Sequence, residues 1–295
     1  MNIVVLGASG RIGRAILQEF IDQSSVLTAV SRFVKQSSPA HSQIRWVSLD
    51  PHDVSGHHAL FLNADIVIDA RNQRYDDWSD YPAMIDATLA ALENTKAHYV
   101  YIDNIYVYGR PASSSRVVED IVRHPISVKG KIRLDIENRL LDLMAQGQPI
   151  MIVRFPDFYD ISTDPLPRFL RWFGPPHLPH QFISTRDGAQ ALYRLVMDPD
   201  AYREIWHVAG DEPITGLGLQ KIAQEILGRE LPLWVFGPRL IKLLGFVNAP
   251  ARGLQETQYL WQYPVILNTD KFVNRYGSAF IHSHQAVIRE LLNRQ

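Results

Sequence analysis

The sequence predicts an α/β protein: a doubly wound parallel sheet of the Rossmann type with a smaller carboxyl-terminal lobe. Short apolar runs alternate with helical patterns, a glycine-rich turn follows the first run, and prolines become frequent after residue 154. The strand-like runs lie at 3–6, 26–30, 44–47, 66–68, 99–102 and 150–153, and the helical patterns at 11–22, 55–62, 80–94 and 131–145. Strands that alternate with helices favour parallel βαβ units.

The change of composition after residue 154 suggests how the chain is divided. We expect residues 1–155 to form the sheet domain, with returns to it near 182–210, and residues 156–295 to form a smaller, mainly helical lobe interleaved with it. Helical patterns at 186–197 and 218–227 and one more strand at 206–208 belong to this later half.

Composition excludes several classes of protein. The formal net charge is −1, so we expect no attraction to nucleic acid or to an anionic membrane surface. There are no cysteines, so disulfides, thiolate catalysis and Cys-based metal sites are excluded. The most apolar long segment, 231–247, is interrupted by prolines, glycines and basic residues, and no secretory signal is recognisable. We expect a cytoplasmic protein without a membrane partner.

The turn from Gly7 to Gly13 carries the strongest functional signal. Its glycines follow a predicted strand and open a predicted helix, as in dinucleotide-binding sites. Gly7 would allow the tight turn, Gly10 the approach of a pyrophosphate, and Gly13 close packing of helix on sheet. The helix amino terminus would direct its N–H groups at the phosphates. The candidate contacts in this turn are Gly7, Ser9, Gly10, Arg11, Ile12 and Gly13.

The ends of the following strands suggest which dinucleotide binds. Arg32 follows the second strand, where an NAD site usually has an acidic residue and an arginine accommodates the extra phosphate of NADP. Lys35 lies just beyond. Asp50 is a candidate to accept a hydrogen bond from the adenine amino group. Ala70 and Phe155 are further cofactor candidates after the fourth and sixth strands. NADP is therefore the expected cofactor, with NAD possible.

Four motifs resemble the extended and atypical short-chain dehydrogenase/reductase superfamily, which includes nucleotide-sugar epimerases and dehydratases. They are the Gly7-x-x-Gly10-x-x-Gly13 turn, the segment 104–109 (NIYVYG), the segment 154–159 (RFPDFY) and the segment 182–187 (FISTRD). The similarity extends over nearly the whole chain. It implies an NAD(P)-binding fold and an epimerase/dehydratase-like or reductase-like enzyme.

Active members of that superfamily use a Ser or Thr, a Tyr, and a Lys four residues after the Tyr. In the register that keeps both Gly130 and Glu137 of the helix motif, Asn104 takes the Ser position, Lys129 the Tyr position and Arg133 the Lys position. A shift of two residues would instead place Ser127 and Lys131 there. The Tyr is missing in both registers. We expect Asn104 and Lys129 to contact substrate and Arg133 to bind the cofactor ribose or a phosphate.

Several aromatic and histidine side chains complete the candidate site. Tyr106 could bring a phenol to the nicotinamide, and Tyr108 and Tyr159 are candidates for substrate contact because they follow the fifth and sixth strands. His180 falls where related enzymes carry a substrate-contacting residue. His177 and His180 lack a nearby carboxylate, and prolines interrupt their spacing, so no metal site is expected.

Two functions remain open on these observations. The first is an NADP(H)-dependent oxidoreductase or epimerase/dehydratase-like enzyme, acting on a small carbonyl or hydroxyl compound that could derive from a sugar. The second is a non-catalytic NADP(H)-binding redox sensor or regulatory protein. The expected partner is a small molecule, and the expected assembly is a monomer or homodimer.

Overall fold

The computed structural model describes residues 1–21, 26–33, 43–74, 77–111, 116–159, 169–246 and 248–293. The strands are β1 Asn2–Leu6, β2 Val26–Ser31, β3 Ile44–Ser48, β4 Ile66–Asp69, β5 His98–Asn104, β6 Ile150–Phe155, β7 Asp157–Phe158, β8 Leu170–Trp172, β9 Pro179–His180, β10 Phe182–Ile183, β11 Glu204–His207, β12 Ile214–Thr215 and β13 Leu233–Val235. The helices are α1 Arg11–Ile21, α2 Val54–Phe61, α3 Tyr81–Leu92, α4 Val128–Ala145, α5 Thr185–Val196, α6 Gly216–Leu227, α7 Pro238–Gly245, α8 Ala249–Thr257, α9 Tyr259–Gln262, α10 Asp270–Tyr276 and α11 His284–Asn293, with 3₁₀ turns at Ile105–Tyr108 and Pro199–Ala201.

Seven strands form one parallel sheet in the order β11-β6-β5-β4-β1-β2-β3. The strand order reverses at β1, so the crevice for a ligand lies above the carboxyl ends of β1 and its neighbours. The predicted α/β fold with a doubly wound parallel sheet is confirmed, and each of the six early strand predictions corresponds to an observed strand.

Both faces of the sheet are covered, which explains why its strands read as continuous apolar runs. On one face α1 and α5 pack together through side chains such as Ile16, Phe20 and Leu192. On the other face α2, α3 and α4 bury Phe61, Ile85, Leu140 and neighbouring residues. The sheet is therefore the rigid support for the loops at its carboxyl edge.

The chain beyond β6 leaves the sheet and returns to it. β8, β12, α6 and α11 share a separate small core that includes Trp172, Leu219 and Ile288. β11 then adds the seventh strand beside β6, and Phe272 of α10 joins the core under α1. None of the helices within the described ranges has the length and apolar character needed to cross a bilayer.

Candidate functional site

A cavity of about 730 Å³ opens at the carboxyl edge of the sheet. Its lining combines the loops after β1, β2, β4, β5 and β6 with segments from β8, α6, α8 and α9. The candidate cofactor residues among the lining are Gly7, Ser9, Gly10, Arg11, Ile12, Arg32, Ala70, Arg133 and Phe155. The other residues proposed from the sequence that line it are Asn104, Tyr106 and Tyr159. One cavity thus contains both groups.

The turn after β1 has the geometry of a phosphate site. Gly7 has φ +76°, and a Cβ there would lie 2.9 Å from the carbonyl carbon of Ala70, so only glycine fits. At Gly13 a Cβ would lie 2.4 Å from the Gly7 oxygen, whereas at Gly10 the nearest atom is 3.2 Å away. Gly13 therefore serves the packing of α1 on the turn, and Gly10 leaves its backbone open toward the cavity.

Arg32 lines the cavity at the end of β2 with an exposed side chain. Its carbonyl oxygen accepts a hydrogen bond from Ser48 Oγ (2.8 Å), which fixes the backbone against β3. Asp50 is not among the lining residues, although Leu49 and Pro51 are, and its carboxylate accepts a hydrogen bond from the His52 amide (2.8 Å). Lys35 lies outside the described residues.

The end of β4 contributes an ion pair that was not predicted from the sequence. Asp69 is fully buried and accepts hydrogen bonds from Arg71 Nε (2.9 Å) and Nη2 (2.6 Å) and from the Tyr99 hydroxyl (2.9 Å). Burial alone would raise the pKa of Asp69, but the Arg71 guanidinium lowers it below its usual value. Arg71 lines the cavity, so it is a fixed positive group beside Ala70.

Asn104 ends β5 and shapes the loop that follows. Its Oδ1 accepts a hydrogen bond from the Tyr106 amide (3.0 Å) and caps the 3₁₀ turn Ile105–Tyr108. The turn directs Tyr106 to the cavity wall. Tyr108 is not among the lining residues, because its hydroxyl hydrogen-bonds His207 Nε2 (2.5 Å) and accepts from Arg154 in the core. Burial raises the pKa of Tyr108.

Lys129 and Arg133 of α4 lie one helical turn apart, but their side chains contact different parts of the structure. Lys129 Nζ donates to the Gly253 oxygen (2.6 Å) and pairs with Glu256 (3.5 Å), and Lys129 is not among the lining residues. Arg133 does line the cavity, and it donates to the Tyr101 hydroxyl (2.5 Å) and to Asn72 Oδ1 (3.2 Å). Their cationic groups both approach the Trp78 ring, at 5.9 and 5.2 Å from its centroid.

Arg133 is held in a charged core network. Its Nη1 lies 3.3 Å from Asp103, while its buried Nε has no hydrogen-bond partner within the described ranges. Arg154 completes the network through Asp103 (2.6 Å) and Glu137 (2.6 Å). Burial opposes the charge on Arg133, but Tyr101, Tyr81 and Asp103 raise its pKa above the usual value. Arg133 therefore stays cationic and can donate but cannot exchange a proton.

The far wall of the cavity is aromatic. We define the aromatic wall as Tyr159, Trp172, Phe173, Phe182 and Trp261, all of which line the cavity. Of these five residues, only Tyr159 was predicted from the sequence. The signal available was the density of aromatic letters in the segments 169–173 (FLRWF) and 259–263 (YLWQY). His180 does not line the cavity and packs behind this wall, with its ring centroid 4.3 Å from that of Trp261.

Tyr159 is tied to the carboxyl-terminal helix α11. Its hydroxyl hydrogen-bonds His284 Nδ1, and His284 Nε2 lies 2.6 Å from the Glu212 carbonyl oxygen. A carbonyl oxygen can only accept, so Nε2 carries a proton and donates it to Glu212 O. Tyr159 is therefore fixed in orientation.

Asp157 adds an acidic group to the cavity lining. It lies on β7, which pairs with β10 in parallel, opposite Phe182. Burial raises the pKa of Asp157 to about 6, although the nearby Arg11 charge acts in the opposite direction. No role was assigned to this residue from the sequence.

A parallel sheet with this strand order, a glycine turn opening an α-helix and a cavity at the carboxyl edge together define a dinucleotide-binding Rossmann protein. The family model described as NAD(P)H-binding matches residues 7–199, well over half of the chain. The chain belongs to this family. The predicted NAD(P)-binding family is thereby confirmed, and the resemblance to epimerases and dehydratases is confirmed at the level of the fold.

Solved structures with the same fold cover nearly the whole chain. UDP-glucuronic acid 4-epimerase from Bacillus cereus, in complex with UDP-glucuronic acid and NAD, is 17% identical with a TM-score of 0.78, over 100% of this chain and 99% of that one. dTDP-glucose 4,6-dehydratase from Bacillus anthracis, in complex with NAD, is 12% identical with a TM-score of 0.77, over 99% and 96% of the two chains. UDP-glucose 4-epimerase from Stenotrophomonas maltophila, with bound NAD, is 16% identical with a TM-score of 0.75, over 99% and 97%. Comparison with curated protein sequences gave no match.

Proposed function

We propose that this protein is an NADP(H)-dependent oxidoreductase or epimerase/dehydratase-like enzyme that acts on a small carbonyl or hydroxyl compound. The observation that carries the proposal is the continuity of one cavity from the glycine turn to Asn104 and Tyr106. A dinucleotide fits the residues present, because Gly10 leaves the backbone open and the first-turn amides of α1 have no acceptors within their own helix.

Arg32 supports the choice of NADP over NAD. Its guanidinium lies at the end of β2, where it could bind a ribose 2′-phosphate, and a charge-assisted hydrogen bond of this kind contributes about 1.5–3 kcal/mol. Arg133 would donate to the ribose hydroxyls at the other end of the cofactor. Its unpartnered Nε and its place beside Asn72 are consistent with that role.

In this proposal the glycine turn, Arg32 and Arg133 would hold a reduced nicotinamide cofactor, which would supply the hydride for the carbonyl carbon. Tyr106 then gives its phenolic proton to the carbonyl oxygen and is reprotonated from solvent. Asn104 orients the same oxygen through its amide N–H, because its Oδ1 already accepts from the Tyr106 backbone. Lys129 is left out of the proton transfer, since its ammonium group is occupied by Gly253 and Glu256.

Arg32→Ala tests the cofactor preference. We expect NADPH to bind wild type at least tenfold more tightly than NADH, and the variant to lose most of that ratio, since tenfold corresponds to about 1.4 kcal/mol. Fluorescence titration of both cofactors measures it. Arg14→Ala, an exposed arginine of α1 that does not line the cavity, is the matched control. Equal affinities of wild type for the two cofactors would contradict the preference.

A regulatory NADP(H)-binding protein is the second candidate. The observation that favours it is the side chain at the superfamily's Tyr position, Lys129, which is engaged with α8 rather than with the cavity. NADPH oxidation followed by absorbance with a panel of aldehydes and ketones separates a reductase from a regulatory protein. If the protein is an enzyme, we expect wild type to turn over a substrate. The rate should fall at least a hundredfold in Tyr106→Phe, because general acid catalysis contributes about 10²–10⁴-fold. The regulatory protein predicts tight NADPH binding and no turnover in wild type.

A further inference from the structure

The aromatic wall forms one continuous surface. Successive ring centroids lie 5.2 Å apart for Tyr159 and Phe182, 6.1 Å for Phe182 and Trp172, 5.0 Å for Trp172 and Trp261, and 5.5 Å for Trp261 and Phe173. Leu219, Leu254 and Leu260 extend the apolar lining beside these rings. A flat ring that enters the cavity would therefore meet aromatic and aliphatic surface.

Two glycines hold the tryptophans of this wall in place. A Cβ at Gly216 would lie 2.7 Å from the Trp172 ring, and a Cβ at Gly174 would lie 2.6 Å from the Trp261 oxygen. His180 fills the space behind both indoles, and burial lowers its pKa to about 4, so it is neutral there. The two tryptophans are thus closely packed against an uncharged ring, and this preorganisation reduces the ordering cost for a ligand.

The charges near the wall disfavour a polyanionic ligand. Asp157 lines the cavity with a carboxyl group that is mainly ionised at pH 7.5. Arg71 and Arg133 already pair with Asp69 and Asp103. Arg11 donates to the Tyr159 carbonyl oxygen (3.4 Å) at one end of the wall, and Arg171, with an exposed side chain, is the cation that residues 169–246 and 248–293 bring to the lining. A diphosphate is bound by several charge-assisted donors, and this wall offers few.

We infer that the second ligand of this cavity is an uncharged carbonyl or hydroxyl compound with an aromatic or alicyclic ring, stacked on the aromatic wall. The UDP sugars named for the similar structures carry a diphosphate and fit this chain poorly. Large apolar pockets with few polar groups are typical of such ligands. The inference rests on the proposed function, because it specifies the substrate of the same site.

Calorimetric titration of the NADP⁺-saturated protein at pH 7.5, which has no hydride to give to a ketone, tests the inference, with 2-acetonaphthone as the ring-containing ketone and UDP-glucose as the diphosphate. We expect the ketone to bind at least tenfold more tightly than UDP-glucose. Equal or tighter binding of UDP-glucose overturns the inference and leaves the proposed function standing. Failure of wild type to bind NADPH overturns the proposed function itself.

Trp261→Leu locates the ketone. We expect its affinity for 2-acetonaphthone to fall at least fivefold while the NADPH dissociation constant stays within twofold. Trp234→Leu is the matched control, because Trp234 is 52% exposed and does not line the cavity. Phe173→Ala, at a half-buried member of the wall, gives the same test if Trp261→Leu does not fold. Unchanged ketone affinity in the folded wall variants would overturn the inference.

Discussion

At the scale of single residues, the glycine turn could be predicted from the sequence because its backbone constraints are local. The positive φ of Gly7 and the close approach at Gly13 belong to one strand, one turn and one helix that are continuous in the chain. The direction of Lys129 was not readable. The atoms that hold its ammonium group, Gly253 O and Glu256, lie more than a hundred residues away, and helical spacing alone does not specify them.

Gly10 and Gly13 should respond differently to a methyl group. Gly10→Ala is expected to stay folded and to lose NADPH affinity at least tenfold. The new Cβ would lie 3.2 Å from the Gly7 oxygen, a tight contact that a small backbone shift relieves, but it would stand where a pyrophosphate approaches. Gly13→Ala is expected to lose stability, because its Cβ would clash with the Gly7 carbonyl. Circular dichroism and thermal unfolding with and without NADPH measure both effects. A folded Gly10→Ala protein that NADPH still stabilises fully would refute the phosphate site.

The raised pKa of Asp157 predicts that the stability of the protein depends on pH. Its pKa in the folded protein, about 6, lies above the ordinary value, so the folded state binds this proton more tightly than the unfolded state does. Stability is therefore lost as pH rises from about 4 to about 6. Asp157→Asn removes this loss, so its melting temperature should rise relative to wild type between pH 4.5 and 7.5.

The control for removing one negative charge is Asp142→Asn, at an exposed position of α4. The difference between Asp157→Asn and wild type should grow with pH, whereas the control should not reproduce this trend. A difference that is the same at both pH values would mean that Asp157 does not titrate as described.

At the scale of secondary structure elements, β5, α4 and β6 are joined by the buried network of Asp103, Glu137 and Arg154. Glu137→Ala leaves Arg154 and Arg123 short of a carboxylate, and removing one partner of a buried ion pair costs about 3–5 kcal/mol. Urea unfolding measures this loss. The exposed pair of Asp86 with Arg139 is the comparison, and Asp86→Ala should cost less than about 1 kcal/mol. Similar losses for the two variants would show that the network does not hold these elements together.

Helices could be predicted where the regular spacing of apolar residues extends over several turns. The apolar patterns at 80–94 and 186–197 became α3 and α5, because one face of each packs on the sheet. The helices α8 to α11 were not predicted. They have only four to ten residues each, and the partner of α11, which is α6, lies far away in the sequence. The aromatic wall includes Trp261 of α9, so the sequence showed only a high content of aromatic residues and not their arrangement.

At the scale of the whole molecule, cofactor binding should stabilise the fold as a unit. A ligand that binds only the folded state adds about 2.7 kcal/mol at a concentration of one hundred times its dissociation constant. NADPH at that excess should therefore raise the urea midpoint of the tryptophan fluorescence transition and of the far-ultraviolet circular dichroism transition together. The fluorescence reports on six tryptophans, which include Trp172 and Trp261 of the wall as well as Trp46 and Trp206 of the sheet, and the circular dichroism reports on the backbone. A shift of one transition without the other would mean that the two parts unfold independently.

The path of β11 has a consequence for dividing the chain. β11 forms one edge of the seven-stranded sheet beside β6, yet it follows the segments that carry four of the five residues of the aromatic wall. A fragment that ends at residue 155 would leave the whole length of β6, whose side chains are all buried, as an unpaired edge. Open apolar edges of this kind pair with other chains. We therefore expect the fragment 1–155 to aggregate on expression. A full-length chain cleaved by a protease retains β11 and should not aggregate. Sedimentation of the two preparations distinguishes these outcomes.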